Sequence, residues 1–228
     1  MDNTLLKVID LKTYFFTSRG VVKAVDGISF ELRHGECLCL VGESGCGKTV
    51  TALSLLRLID SPPGRIVSGE VRYDSLNLVT CSQEELGRIR GREIAMIFQD
   101  AQSALNPIFT IGDQITEQIK LHQKSDEKEA HRQAIRLMTE VGMPDAERII
   151  DYYPHQLSGG MKQRAMIAMS LSCKPQVLVA DEPTTAVDAT IKAQIMDIFQ
   201  NLKAEKQMSL IFITHDLGVV AEIGDRVI

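Results

Sequence analysis

No apolar run in this 228-residue sequence approaches the roughly 18 residues needed to span a bilayer. The first twelve residues, MDNTLLKVIDLK, lack the charged and apolar regions of a signal peptide. We therefore expect a cytosolic protein, or one that a partner holds at a membrane. An excess of positive charge is also missing. The formal net charge is -5, which gives no electrostatic footprint for nucleic acid and excludes it as an expected partner.

Cysteine is scarce and irregularly spaced. The five cysteines are odd in number and do not have the spacing of zinc ligands. Cys37 and Cys39 alternate within a predicted strand and share one face, which predicts reduced core residues. The length is sufficient for one large α/β domain with a helical insert.

Glycine is concentrated where a predicted strand meets a predicted helix. Residues 36–41 indicate a buried strand, and the pattern G-x-x-x-x-G-K-[ST] follows at Gly42, Gly47, Lys48 and Thr49. A tight turn in which glycines only relieve crowding is the alternative, but the complete pattern disfavours it. The apolar residues that then recur at helical spacing are Val50, Leu53, Leu56 and Ile59.

This loop has the chemistry of a triphosphate site. Backbone N–H groups at a helix N-terminus point at an anion, and glycines let the main chain wrap closely around phosphate oxygens. Lys48 supplies a positive charge for the β- and γ-phosphates, and the hydroxyl of Thr49 suits Mg²⁺. The sequence therefore predicts binding of a nucleoside triphosphate with magnesium. The predicted nucleotide-binding residues here are Gly42, Ser44, Gly45, Cys46, Gly47, Lys48, Thr49 and Val50.

Two carboxylates follow the apolar strand predicted at 177–180. Asp181 stands at the carboxyl end of that strand and is the expected Mg²⁺ partner of the phosphate loop. Glu182 points elsewhere because it is one residue further along, and it suits a general base for an attacking water. A surface acidic pair that caps the next turn is the alternative, which the preceding phosphate loop disfavours.

The stretch LSGGMKQR indicates a second helix N-terminus able to accept an anion. Ser158, Gly159 and Gly160 precede a helix predicted to begin near Met161. Only one acidic metal-binding strand accompanies these two helix ends. Either the second end is a plain helix cap, or it completes a nucleotide site in another subunit. The second interpretation predicts a head-to-tail pair that closes around two ATP molecules.

The remaining sequence predicts a mixed architecture. Two alternating segments predict an antiparallel β pair before the loop, 61–70 is predicted as a Pro- and Gly-rich loop, and VRYDSLNL and REIAMIFQD predict strands. From Ala101 to Lys174 the pattern is helical, with Ser125 as a cap and Gly142 as a stop. SLIFIT predicts a last strand after a helix at 191–205, so the core sheet is predicted to be parallel. The stripe of the capped helix is Ala130, Ala134, Leu137, Met138 and Val141.

Five ordered motifs make the sequence resemble the nucleotide-binding subunit of an ABC transporter over nearly its whole length. They are GESGCGKT, Gln99 at a strand end, LSGGMKQR, VLVADEPT, and ITHD with His215. The resemblance implies an α/β P-loop ATPase fold with a mostly parallel core sheet, an N-terminal antiparallel β-subdomain and an α-helical insert. It implies one ABC ATPase domain over 1–228, with the core and β-subdomain at about 1–100 and 175–228 and the helical subdomain at about 101–174.

The resemblance also assigns roles to residues outside the phosphate loop. Gln99 would contact Mg²⁺ or the lytic water, and His215 would sense the γ-phosphate and hold Glu182 or water in line. Asp188 would communicate across the dimer, although the family more often has Leu where Val187 stands.

Phe15 in the first hairpin would stack on adenine, by alternation and by the register of the family. The alternative is that the rings of Tyr14, Phe15 and Phe16 only pack the β-subdomain.

Within the family, MIFQDAQSALNP and EPTTAVDATIKAQI are most similar to subunits of bacterial dipeptide and oligopeptide importers, or of allied nickel importers. Many of those relatives have Pro-Met-Thr-Ser at the positions of 101–104. The resemblance implies a second cassette, two transmembrane permease subunits and, indirectly, an extracytoplasmic solute-binding protein as partners. It places the chain peripherally on the cytoplasmic face of the plasma membrane. Similar proteins continue beyond Ile228, so we expect a truncated chain.

Three other functions fit parts of the sequence. A P-loop small-molecule kinase would share Lys48, Thr49 and Asp181 but would need neither LSGG nor a carboxylate placed like Glu182. A chromosome- or repair-type ABC ATPase would carry long coiled coils between two motifs that here, at Gln99 and Ser158, are only 59 positions apart. A non-hydrolysing ATP-dependent scaffold would have Glu182 or Lys48 replaced.

Overall fold

The computed structural model describes residues 3–185, 187–206 and 208–228, without the side chains of 205 and 206. The chain divides into two compact units, Met1–Arg90 with Gln207–Ile228, and Gly91–Lys206. In chain order the elements are β1 (Thr4–Thr17), β2 (Gly20–Arg33), β3 (Cys37–Val41), α1 (Lys48–Leu55), β4 (Gly64–Tyr73), β5 (Leu76–Asn77), α2 (Gln83–Ile89), β6 (Ile94–Ile97), α3 (Ala101–Ala104), α4 (Ile111–Gln123), α5 (Glu127–Glu140), α6 (Ala146–Ile149), α7 (Gly159–Leu171), β7 (Val177–Asp181), α8 (Ala189–Lys206), β8 (Ser209–Thr214), α9 (Leu217–Ile223) and β9 (Arg226–Val227).

The first unit contains the predicted antiparallel hairpin. β1 and β2 pair from Thr4↔Arg33 to Thr17↔Gly20, and the sheet has the order β2-β1-β4-β5. The predicted loop at 61–70 is wrong from Gly64 onward, because β4 begins at that residue. There Phe15 pairs with Gly64 across the strands, and the ladder with β1 satisfies the backbone that the Pro- and Gly-rich composition assigned to a loop.

The same unit contains three parallel strands. β3 pairs with β8 on one side and with β9 on the other. Cys37 and Cys39 are fully buried in the core on β3, as predicted. Arg226 of β9 donates to Glu36 at 2.6 Å, and Glu36 also accepts from the backbone N–H of Arg33 at 2.8 Å. These bonds anchor the strand that leads into the phosphate loop.

Helix α1 is shorter than its predicted apolar stripe and turns a different face inward. It ends at Leu55, so Ile59 lies outside it. Its buried residues include Thr51 and Ser54 rather than Val50 and Leu53. The hydroxyl of Ser54 is 2.8 Å from that of Thr13 on β1, a buried contact that makes a polar face compatible with the core.

The second unit combines two parallel strands with helices. β6 and β7 pair from Ile94↔Val177 to Ile97↔Ala180. The predicted stripe of α5 is buried and Gly142, with φ of 72°, follows its end. The predicted cap Ser125 is wrong: Asp126 accepts from the N–H of Glu129 at 2.9 Å, because its carboxylate stands directly before the first helical residue.

Helix α2 was missed by the sequence reasoning. Its signal is a capping box, in which Ser82 accepts from the N–H of Glu85 and Glu85 accepts from the N–H of Ser82. No described helix has the length and apolar character required to cross a bilayer.

Candidate functional site

The phosphate loop connects β3 to α1 through a backbone that side chains would obstruct. Gly47, the residue before α1, has φ of 97°, and a Cβ there would lie 2.2 Å from the carbonyl oxygen of Ala24. A Cβ at Gly42 would lie 2.8 Å from Cys46 Sγ. Gly45 also has a positive φ, of 82°. The loop therefore has the shape of a cradle that fits phosphate oxygens against its backbone.

Lys48 is held over this loop. Its Nζ donates to the carbonyl oxygens of Gly42 and Glu43, both at 2.7 Å, and lies 3.7 Å from Cys46 Sγ. Among the described residues, no side chain caps the N-terminus of α1. The loop thus combines a cation with a helix end that its own side chains leave uncapped, which suits an anion. Ser44 and Cys46 are exposed, whereas Thr49 and Val50 are half-buried in the first turn of α1.

His215 stands at the same edge of the parallel strands as the phosphate loop. Val41, the last residue of β3, pairs with Thr214, the last residue of β8, and His215 follows directly. The imidazole is exposed. Asp216 then caps α9 by accepting from the N–H of Gly218 at 2.8 Å.

Phe15 is half-buried and packs over its strand partner. A Cβ at Gly64 would lie 2.9 Å from Phe15 Cε1 and 2.4 Å from a methyl of Ile59. Phe16 is instead 50% exposed, and Tyr14 donates to Asp26 at 2.5 Å. Of the three rings, Phe15 alone lies against this glycine.

In the second unit, the structure brings Gln99 and Glu182 together. Ile97 of β6 pairs with Ala180 of β7, and Gln99 and Glu182 each stand two residues after their member of this pair. Gln99 Nε2 donates to Glu182 Oε2 at 3.3 Å. Thr185 Oγ1 donates to the same oxygen at 2.9 Å. Glu182 has φ of 46°, in the left-handed region that a non-glycine residue rarely adopts, which is typical of functional positions.

Thr185 is a residue that the sequence reasoning missed. Its hydroxyl lies three positions after Glu182, within the run EPTT, and that spacing is the only local signal for the contact. Two donors on one carboxylate oxygen fix the orientation of Glu182.

Asp181 ends β7 and is 1% exposed. The carboxylate of Asp181 and the amide oxygen of Gln99 in the second unit, and the hydroxyl of Thr49 in the first, are each oxygen donors of the type that Mg²⁺ prefers. By their chemistry these residues fit a magnesium ion. Among the residues that the structure describes, no group of three His, Cys, Asp or Glu side chains forms a separate metal site.

The signature turn, residues 158–160, begins α7. Ser158 caps this helix by accepting from the N–H of Met161 at 3.3 Å. A Cβ at Gly159 would meet nothing within 4 Å, whereas one at Gly160 would lie 3.0 Å from Ile191 Cγ2. The plain cap that the sequence left open is therefore present, and the turn also leaves Gly159 exposed.

Asp188 is exposed and caps the first turn of α8. Its Oδ1 accepts from the N–H of Ile191 at 2.9 Å, and its carbonyl accepts from the N–H of Lys192 at 2.8 Å. Ala186, two positions earlier, lies outside the described residues.

The strand, glycine loop, helix and overlying lysine define a P-loop nucleotide-binding protein. The model of the family described as ABC transporter matches residues 25–185. The chain therefore belongs to the ABC transporter family. It is an ATP-binding cassette, and its enzymatic activity is that of an ATPase. This membership confirms the resemblance seen in the motifs and decides against a small-molecule kinase.

Curated relatives agree with this assignment. The oligopeptide transport ATP-binding protein AppD of Bacillus subtilis is 48% identical over 226 residues, which are 99% of this chain and 69% of AppD. The glutathione import ATP-binding protein GsiA of Salmonella choleraesuis is also 48% identical, over 98% of this chain but only 37% of GsiA. The chain thus spans about two thirds or less of the length of these relatives.

Solved structures confirm the predicted fold class. The ATP-binding cassette MJ0796, in a dimeric post-hydrolysis state bound to ADP and Pi, has a TM-score of 0.87 and 25% identity. The match covers 98% of this chain and 93% of MJ0796.

Proposed function

We propose that this chain is the ATP-hydrolysing subunit that powers an importer of di- or oligopeptides. The identity of 48% to a protein named for oligopeptide transport supports the substrate class. The similarity to a glutathione importer agrees with it, since glutathione is itself a small peptide. The observation that carries the ATPase role is Glu182, held by Gln99 and Thr185 at the end of a strand.

The phosphate loop binds ATP in this proposal. Its glycines present backbone N–H groups to the phosphate oxygens, and Lys48 adds positive charge beside the β- and γ-phosphates. Phe15 stacks on the adenine, since its half-buried ring is fixed against Gly64. His215 donates a hydrogen bond to the γ-phosphate.

Glu182 accepts a proton from water while the water oxygen forms a bond to the γ-phosphorus. The bond between that phosphorus and the leaving oxygen breaks, and ADP and inorganic phosphate result. The Gln99 amide and the Thr185 hydroxyl keep the carboxylate in one orientation. Mg²⁺, held by Thr49, Gln99 and Asp181, would neutralise charge on the phosphate oxygens.

The second helix end completes the site of another cassette. Ser158, Gly159 and Gly160 reach the γ-phosphate bound by a partner, in a head-to-tail pair with two nucleotides. The dimeric state of the similar cassette MJ0796 supports this pairing. Asp188 communicates between the two sites from its loop before α8.

Two exposed apolar side chains support contact with a membrane-embedded partner. Ile108 is 72% exposed and Phe109 is 48% exposed, in the loop between α3 and α4. Gln114 fixes this loop by donating to the carbonyls of Asn106, at 3.0 Å, and Phe109, at 3.1 Å. A rigid apolar loop near Gln99 in the chain suits a permease subunit, which would hold the cassette at the cytoplasmic face of the membrane.

Glu182→Gln in the full-length protein tests the ATPase role. We expect ATP binding to persist, hydrolysis to fall by about 100-fold or more, and an ATP-bound dimer to accumulate, because the substituted amide cannot accept the proton. Glu147→Gln, an exposed position in the same unit, is the matched control. Unchanged turnover in Glu182→Gln would remove this residue from its role.

Uptake of labelled substrate in cells that carry Glu182→Gln tests the cargo. We expect loss of dipeptide or oligopeptide uptake, with Ni²⁺ accumulation unaffected. Loss of Ni²⁺ accumulation with normal peptide uptake would show that the substrate is nickel and not a peptide, and it would leave the ATPase role intact.

A further inference from the structure

Arg164, in the second turn of the signature helix α7, is buried, and no acidic side chain in the described part of the chain pairs with it. It is 7% exposed, and its two terminal nitrogens donate to neutral oxygens: the carbonyl of Val141 and Oε1 of Gln194, the latter at 2.5 Å. No ion pair of Arg164 occurs among the described residues. Burial lowers the pKa of this guanidinium from its usual value. Burying a cation costs free energy, so the N–H groups of the guanidinium need well-placed hydrogen-bond acceptors.

The carbonyl of Val141 explains how the charge is tolerated. Val141 is the C-terminal cap of the 14-residue helix α5, where unpaired carbonyls carry the negative end of the helix dipole. Gly142 makes room for the guanidinium, because a Cβ there would lie 2.4 Å from Arg164 Nη1. One side of Arg164 is thus fixed to the end of α5.

The other side of Arg164 belongs to a contact line between α7 and α8. Gly160 approaches Ile191 closely, and one turn further along both helices Arg164 donates to Gln194. The pairs advance in the same direction, so the N-termini of α7 and α8 lie at the same end of this line. Those N-termini are the signature turn and the loop that Asp188 caps.

We propose that Arg164 and Gln194 are positioning residues that hold the signature turn at a fixed distance from the Asp188 loop, so that both move together when a partner cassette closes. This inference rests on the proposed role of 158–160 in completing a partner's nucleotide site. Neither Arg164 nor Gln194 needs to touch nucleotide, because the effect passes through the ends of their helices. We call the two contacts between α7 and α8, Gly160 with Ile191 and Arg164 with Gln194, the lock, and all of its residues lie in the second unit.

Gln194→Leu and Arg164→Met test the lock in the full-length protein. In Gln194→Leu we expect ATP affinity to stay within twofold, because the phosphate loop is unchanged, and maximal hydrolysis to fall about tenfold. Gln194→Glu retains an acceptor for Arg164 and is expected to retain most of the rate. Asn201→Leu replaces an exposed amide seven positions further along α8 and is the matched control.

Two further measurements separate positioning from general stability. The double variant is expected to lose no more rate than Arg164→Met alone, since Arg164→Met already removes the contact with Gln194. Hydrogen exchange in Gln194→Leu is expected to rise at least about threefold at the amides of 159–161 and 189–191, as local opening becomes easier, and this readout requires no dimer.

Unchanged exchange at these amides would overturn the lock, as would a rate loss in Gln194→Leu that disappears on cooling, which would indicate only lower stability. If the wild-type protein forms no ATP-dependent dimer, the proposed function fails, and the exchange measurement still decides whether the contact couples the two helix ends. Gln194→Leu also decides the case if Arg164→Met does not fold.

Discussion

The two helix N-termini that carry the nucleotide motifs are built in opposite ways. At α1, the preceding residue is Gly47 in the left-handed conformation, and no side chain that the structure describes caps the helix. At α7, the preceding residue is Ser158, whose hydroxyl oxygen accepts a hydrogen bond from the N–H of Met161. The first helix end leaves its backbone donors to a ligand and needs glycine to do so. The second satisfies one of its donors internally, so it is a complete structural cap before any partner arrives.

The two units also anchor these helices differently. The strand that leads into the phosphate loop is fixed by an ion pair, between Arg226 and Glu36. The signature helix is fixed by Arg164, which donates to neutral oxygens. The first anchor contains an acid that titrates, and the second does not. The comparison therefore predicts that the two ends respond differently to mutation and to pH.

Lys48→Ala is expected to have the largest effect. It removes the cation above the phosphate loop, so we expect hydrolysis to fall at least about 100-fold and ATP affinity to weaken, measured by turnover and calorimetry. Lys128→Ala, on the exposed face of α5, should leave both values unchanged. Retained ATP affinity in Lys48→Ala would mean that the backbone alone holds the nucleotide.

Gly47→Ala and Gly159→Ala sharpen the comparison as a matched pair. A Cβ at Gly47 meets a backbone oxygen at 2.2 Å, and the positive φ adds strain, so we expect about 3 kcal/mol of lost stability in urea unfolding. A Cβ at Gly159 meets nothing within 4 Å, so we expect a change within about 0.5 kcal/mol. Equal losses of stability in the two variants would show that the helix N-terminus of α1 has no greater need of glycine than that of α7.

Ser158→Ala separates the cap from the nucleotide role. Loss of the cap is expected to cost about 1 kcal/mol of stability, and Ser82→Ala, which removes the cap of α2, should cost a similar amount. Only Ser158→Ala is expected to lower maximal hydrolysis, by about tenfold, with ATP affinity retained. A parallel loss of rate in Ser82→Ala would reduce Ser158 to a structural cap.

Glu36 is expected to give the smallest effect, a dependence of stability on acid pH. Burial raises the pKa of Glu36, but hydrogen bonds from Arg226 and from the backbone of Arg33 outweigh it, so the net pKa is lowered. A lowered pKa means that the stabilisation is present above the unfolded value, about 4.3, and is lost as pH falls through the folded value.

Urea unfolding between pH 6 and 3 measures this contribution. We expect Glu36→Gln to remove about 1 kcal/mol of the pH-dependent stability, with Glu147→Gln as the control. An unchanged pH profile in Glu36→Gln would show that the pair with Arg226 does not set the acid sensitivity of this unit.

Much of the fold followed from local patterns. The hairpin of β1 and β2, the strand β3 and the stripe of α5 were predicted because period and turn residues agree in those segments. β4 was not, because ladder bonds to β1 override the loop propensity of its first residues. The inward face of α1 was also missed, since a buried hydroxyl pair with Thr13 replaces the expected apolar stripe.

The sequence by itself predicted which residues bind a nucleotide, because glycine, lysine and hydroxyl spacing along one loop is a local property. It also predicted that Asp181, Glu182 and Gln99 lie at or just beyond the ends of strands, as they do. Only the tertiary structure decided that Gln99 donates to Glu182 across 83 positions, and that Arg164 joins the end of α5 to α8. Such contacts depend on strand register and on how helices pack, which no local pattern contains.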